Sequence, residues 1–198
     1  AAAIILQNAR YLKTMVDDII DLSRNSFGEL RIEIGDIDVA RVISEVAESL
    51  RPQIEASGQR LDVRIEEKTP SIEADDKRIR QIIFNLLQNA HVHTPEGTTI
   101  EISAVGTGPE VLIEVSDDGE GLPFENPEDA FGSFRSGLAT GGDPMTGSGI
   151  GLTISRQLAE LHRGTLEVES KAGEGTRFTL RLPVKRDAAR KLVSPGDD

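Results

Sequence analysis

Asp117-Asp118-Gly119-Glu120-Gly121 opens, and Thr146-Gly147-Ser148-Gly149-Ile150-Gly151-Leu152 closes, the stretch whose reading decides the fold. Between them the sequence is rich in glycine, punctuated by proline and without regular apolar periodicity. Long structureless loops are uncommon in compact domains and are mostly functional lids or disordered segments. This one is fixed at both ends by glycines and begins on carboxylates. Glycine lets backbone amides approach a ligand closely, and a helix N-terminus favours anions. The stretch reads as a nucleotide lid, and a disordered insertion is the competing reading of the stretch alone.

Working outward, Thr98 to Val105 and Val111 to Ser116 alternate around Gly106-Thr107-Gly108-Pro109, the pattern of an antiparallel hairpin. After the lid, Ile150, Ile154, Leu158 and Leu161 mark a helix that Gly164 ends. Leu166 and Val168, a turn at Ala172 to Gly175, then Phe178, Leu180 and Leu182 predict a last hairpin. Upstream, Leu30, Ile32 and Ile34 predict a strand, and Asp38 an N-cap for a helix carrying Val39, Val42, Ile43, Val46, Leu50 and Ile54. Leu61, Val63 and Ile65 predict a second strand, and Ser71 to Ala74 a short extended piece. Strands and helices without strict alternation give an α+β class. The architecture is a two-layer sandwich, a mixed and mostly antiparallel sheet with helices on one face.

The helix expected from Asp76 to His91 is the second informative element. Ile79, Ile82, Ile83, Leu86, Leu87 and Ala90 form its core face, while Asn85 and Asn89 lie four apart on the other side. Asn is a poor helix former, so two in one helix interior ask for a reason. A neutral amide oxygen suits a hard cation already carried by phosphates. Two solvated surface amides are the plainer alternative.

Residues 1–27 read as a separate unit. Ile5, Leu12, Met15, Ile19 and Leu22 recur at heptad spacing, and Tyr11, Val16 and Ile20 widen the stripe. Such a stripe suits a helix of a dimeric four-helix bundle, or one packed on its own domain. The chain opens inside this pattern, so it reads as a fragment with further segments upstream. Residues 28–184 form the main domain and 185–198 a polar tail.

The 198 residues hold 34 acidic and 22 basic side chains, a net charge of −12. That balance argues against nucleic acid as a partner. There is no cysteine, hence no disulfide framework or thiolate zinc site, which fits a reducing, cytoplasmic location. No apolar run is long enough to span a bilayer, so no membrane contact by this segment is expected.

Together the blocks resemble the catalytic ATP-binding module of sensor histidine kinases, within the wider ATPase superfamily shared with gyrase and heat-shock chaperones. Arg78 to Ala90 resembles the N box, Asp117 to Gly121 the G1 box, Phe131-Gly132-Ser133-Phe134 the F box, and Gly147 to Leu152 the G2 box. A lone glycine-rich motif is weak evidence, and four in order are strong. Residues 1–25 look like the second helix of the kinases' dimerisation hairpin.

The resemblance implies ATP and Mg²⁺ as cofactors, with Asn89 as the metal ligand and Asn85 orienting water or phosphate. It implies that Asp117 accepts a hydrogen bond from the adenine amino group, with Gly119 and Gly121 against the base. Gly147, Ser148, Gly149, Ile150, Gly151 and Leu152 would cradle the phosphates, and Thr176 would lie near the adenine. It further implies a homodimer and a response regulator as partners, with the γ-phosphate passing to a histidine on the upstream helix. His91, His93 and His162 all lack that acceptor context, so the chain alone is not expected to autophosphorylate. Two departures stand out. Val92 and His93 occupy the places of the family's frequent Lys-Tyr, with His93 as a flat packing substitute and His91 as a possible source of charge. Ser136 occupies the place of a frequent Arg, leaving Arg135 as the candidate lid cation. Two alternatives share the module: a serine/threonine kinase of the anti-sigma type, which lacks the long N-terminal helix, and a degenerate non-catalytic interaction module.

Overall fold

The computed structural model describes residues 32–132 and 150–185. The N-terminal helix and the tail beyond residue 185, both expected from the sequence, lie outside the described residues.

The first helix, α1 (Val39–Ala56), starts where Asp38 Oδ1 accepts the Arg41 amide at 3.1 Å. Its apolar positions put Val39, Val42, Ile43, Val46, Leu50 and Ile54 on one buried stripe, and Pro52 is accommodated inside it. The second, α2 (Asp76–His93), is capped in the same way by Asp75, whose Oδ1 accepts the Arg78 amide at 3.1 Å. It runs two residues beyond the expected His91. The third, α3 (Gly151–Leu161), buries Ile154, Ser155, Leu158 and Ala159.

Five strands form the main sheet: β2 (Arg60–Ile65), β4 (Thr99–Gly106), β5 (Glu110–Asp117), β6 (Thr165–Lys171) and β7 (Gly175–Pro183). Their order is β2-β4-β5-β7-β6, with β2 parallel to β4 and every other pair antiparallel. Alternate residues such as Ile100, Ile102, Ile113, Val115, Phe178 and Leu180 are buried with the helix stripes in one core. Many of their neighbours, such as Glu101, Glu114 and Arg177, face away from the core and are polar. The result is the expected mixed sheet with helices on one face.

A two-stranded ribbon pairs β1 (Gly35–Ile37) with β3 (Ile72–Ala74), Ile37 opposite Ile72 and Gly35 opposite Ala74. This corrects the strand expected over Leu30 to Ile34, of which the described residues, 32–34, form no strand. The pairing partner ends at Ala74, because Asp75 turns the chain into α2. The Glu33 amide therefore donates to Asp75 Oδ2 at 2.8 Å instead of to a strand carbonyl. Ile34 is left exposed.

Candidate functional site

Helices α2 and α3 lie antiparallel and are pinned at two levels. At one level His162, fully buried just after α3, accepts the Asp75 amide on Nε2 at 3.0 Å. Its Nδ1 donates to the Leu158 carbonyl at 2.6 Å, which fixes the neutral tautomer. At the other level Asn85 Nδ2 donates to the Gly151 carbonyl at 3.2 Å and lies 3.3 Å from Ser155 Oγ. Ser155 is buried, and its hydroxyl donates to the same carbonyl at 2.8 Å. Asn85 thus uses its donor side to hold the start of α3, leaving Oδ1 for another group.

Asn89 lies one turn further along α2, half-buried like Asn85. Among the described residues its amide has no hydrogen-bond partner. The described residues also contain no cluster of three or more His, Cys, Asp or Glu side chains able to hold a metal. A lone free amide oxygen fits Mg²⁺, which takes few protein ligands and completes its shell with phosphate and water.

Asp117 ends β5, opposite Thr176. Its Oδ1 accepts the Gly119 amide at 3.0 Å, and the Thr176 backbone also hydrogen-bonds it. Burial raises the carboxyl above its ordinary range, opposed by those two backbone bonds and reinforced by Asp118. The loop after Asp117 is fixed on the β6–β7 turn. The Leu122 amide donates to Ser170 Oγ at 2.8 Å, and Ser170 Oγ meets Thr176 Oγ1 at 3.1 Å. Two glycines make this closeness possible. At Gly121 (φ +80°) a Cβ would sit 2.6 Å from the Lys171 carbonyl oxygen. At Gly175 (φ +93°) it would sit 1.9 Å from that of Asp117. No L side chain fits either place.

Gly151, Ile150 and Leu152 sit at the start of α3, where no side chain among the described residues caps the helix. The first amides of an α-helix have no partner within the helix, and such an end receives anions. Thr153 Oγ1 donates to the Phe131 carbonyl at 2.8 Å, tying α3 to the single-turn 3₁₀ helix Pro127–Phe131. Phe131 is clamped edge-on by Phe178 at 6.1 Å and covered by the Arg156 guanidinium at 3.5 Å. Arg135, Gly147, Ser148 and Gly149, the other expected site residues, lie outside the described residues.

His91 Nδ1 meets Gln59 Oε1 at 2.6 Å. Desolvation lowers both His91 and His93 from the ordinary imidazole range, which disfavours the cationic form of each. His93 is the last residue of α2.

Sequence reasoning missed Ser155, Gln59, His162 and Ser170. Only Ser155 carried a local signal, a small polar residue four after Gly151 and beside the apolar stripe of α3.

Residues 74–186 match the family model described as histidine kinase-, DNA gyrase B-, and HSP90-like ATPase. The chain is 35% identical over 185 residues to the adaptive-response sensory kinase SasA of Synechococcus sp. (strain JA-3-3Ab), covering 93% of this chain and 48% of that protein. It thus spans about half the length of that relative. The fold matches the Acinetobacter baumannii histidine kinase AdeS with a TM-score of 0.74 at 19% identity, over 92% of this chain and 83% of that one. It also matches histidine kinase ThkA, solved in complex with response regulator protein TrrA, with a TM-score of 0.70 at 24% identity, over 91% of this chain and 49% of that one. With the N and G1 blocks placed on this sheet-and-helix frame, the chain belongs to the histidine kinase-, DNA gyrase B-, and HSP90-like ATPase family, as an ATP-binding catalytic domain of the sensor histidine kinase kind.

Proposed function

We propose that this chain positions Mg-ATP and donates its γ-phosphate to a histidine on a dimerisation helix, for relay to an aspartate of a response regulator. The observation that carries the reading is the Asp117 carboxylate, half-buried and held by backbone bonds from Gly119, on Oδ1, and from Thr176, with a lone pair of Oδ2 to accept from the adenine amino group. Gly119, Gly121 and Thr176 shape the base pocket. Asn89 would ligate Mg²⁺, which when bound neutralises phosphate charge during transfer. Asn85 holds the start of α3 and turns Oδ1 toward phosphate or water. His93 lies at the rim of the same helix end. The cradle would comprise Gly147 to Leu152, with Arg135 the lid cation. In phosphoryl transfer the protein mainly positions groups and stabilises charge, so these are positioning and electrostatic roles.

Residues 1–27 are read as the second helix of the dimerisation hairpin, residues 28–184 as the catalytic domain and 185–198 as a tail. The response-regulator partner is supported by the ThkA–TrrA complex. Among the described residues no helix is long and apolar enough to cross a membrane. A cytoplasmic location is part of the same proposal.

The test uses the polypeptide that carries both this chain and the acceptor helix. Incubation with γ-labelled ATP gives acid-labile phosphate on a histidine other than His91, His93 and His162, and the label chases onto a response regulator. Acid-stable label on serine or threonine would refute the reading, as would stable label on any of those three histidines.

A further inference from the structure

We infer that Gln59 is a positioning residue for adenine recognition, a side-chain clamp that sets the pocket's rim from outside it. The inference rests on the reading of Asp117 as the adenine acceptor.

Gln59 lies between α1 and β2, where a polar residue beside a turn would ordinarily be solvated. Instead it is 6% exposed. Its Nε2 faces only acceptors at the end of α2: the Thr94 carbonyl at 2.7 Å, Thr94 Oγ1 at 2.9 Å, the His91 carbonyl at 3.0 Å and the Pro95 carbonyl at 3.4 Å. Its Oε1 faces His91 Nδ1, which therefore carries the proton. The last carbonyls of a helix have no intrahelical donor. Here one glutamine amide supplies donors to them and to the following turn. Backbone bonds reinforce the junction, Gly97 N to Gly58 O at 3.0 Å and Arg60 N to Thr98 O at 2.9 Å.

The residue so held is Thr94, and it touches the site. Its hydroxyl donates to the Ala90 carbonyl at 2.8 Å, one residue after Asn89. Its methyl packs on the base loop, since a Cβ on Gly119 would lie 2.8 Å from Thr94 Cγ2. Gly119 in turn donates to Asp117 Oδ1. The contacts run Gln59, Thr94, Gly119, Asp117 without a gap. Removing the Gln59 amide leaves part-buried carbonyls without their donor, and the turn relieves that by moving toward water. Thr94 then withdraws from Gly119, and the acceptor loses its fixed aim.

The test compares Kd for Mg-ATP in the wild-type chain, Gln59→Met, Thr94→Ser and Asp117→Asn, with Ile54→Val as a core control. Titrations are run well below each protein's Tm. Gln59→Met keeps the length and loses the hydrogen bonds, and weakens ATP by about tenfold. Thr94→Ser keeps the hydroxyl and removes only the methyl against Gly119, and weakens ATP a few-fold. Ile54→Val lowers Tm and leaves Kd unchanged. Wild-type affinity in Thr94→Ser overturns the inference even where Gln59→Met fails to fold, and so does a loss in Gln59→Met no larger than in the core control. If Asp117→Asn alone abolishes binding, the adenine reading stands and the clamp falls. If Asp117→Asn binds like wild type, both fall.

Discussion

Replacing Asp117 by Asn changes one atom, and the structure says which way the new group must face. The Gly119 amide donates to Oδ1 at 3.0 Å. The variant keeps that bond only by putting its carbonyl oxygen there, which turns Nδ2 to the place of Oδ2. A donor then confronts the adenine amino donor. The lost charge-assisted hydrogen bond is worth about 1.5–3 kcal/mol, and an unsatisfied donor adds about 1 kcal/mol or more. A total of about 2.5–4 kcal/mol raises the Kd for ATP roughly 60- to 700-fold. Stability moves the other way or not at all. Burial raises the folded carboxyl above its unfolded value, so the ionised form is a cost at neutral pH that the amide does not carry. Calorimetry for Kd and thermal denaturation for Tm separate the two effects. An Asn variant that binds ATP within about threefold of wild type, or that loses binding because it unfolds, would refute this reasoning.

Three further outcomes follow from the same structure. The raised Asp117 carboxyl makes adenosine affinity fall as pH drops from neutral through its pKa, because only the ionised form is a full acceptor; its own contribution to fold stability is present at low pH and lost as pH rises through that pKa. Adenosine titrated from pH 7 downward checks this without interference from phosphate ionisation, and a pH-independent affinity contradicts it. Asn89→Ala removes an amide that has no other partner among the described residues, so it abolishes the Mg²⁺-dependent part of ATP affinity and spares the Mg²⁺-free part; equal loss in both assigns Asn89 elsewhere. Ile83→Ala empties a fully buried place on the core face of α2 and costs about 2–5 kcal/mol in denaturant unfolding. A cost under about 1 kcal/mol would mean the core is not packed as described.

What the sequence made legible was local. Asp38 and Asp75 announced their helices because a carboxylate cap precedes an apolar 3.6-residue period, and both caps are made. Alternation located β4, β5 and β7 because one face of each carries the buried apolar residues and the other is mostly polar. Strand order was not legible, since β2 lies beside β4 in parallel only through a crossover that no local pattern encodes. The first strand was misplaced for a related reason. Ile32 and Ile34 alternate properly, but the partner strand ends at Ala74, and pairing needs two chains. In the site, Asn85, Asn89 and Asp117 were legible as chemistry out of place, amides inside a helix and a carboxylate at a strand end before glycines. Gln59 and His162 were not. Each is an ordinary polar residue in sequence, and each is buried only because two distant elements converge on it, Gln59 on Thr94 and His162 on Asp75. Gly175 reads as one more turn glycine until the Asp117 carbonyl is seen against it.

The most direct test of the central claim is a calorimetric titration of this chain with ATP, with and without Mg²⁺, beside GTP. The account predicts one ATP per chain, tighter binding with Mg²⁺, and much weaker GTP binding, because a carboxylate acceptor matches an exocyclic amine and repels a guanine carbonyl. No heat with ATP, or equal affinity for the two nucleotides, would contradict it.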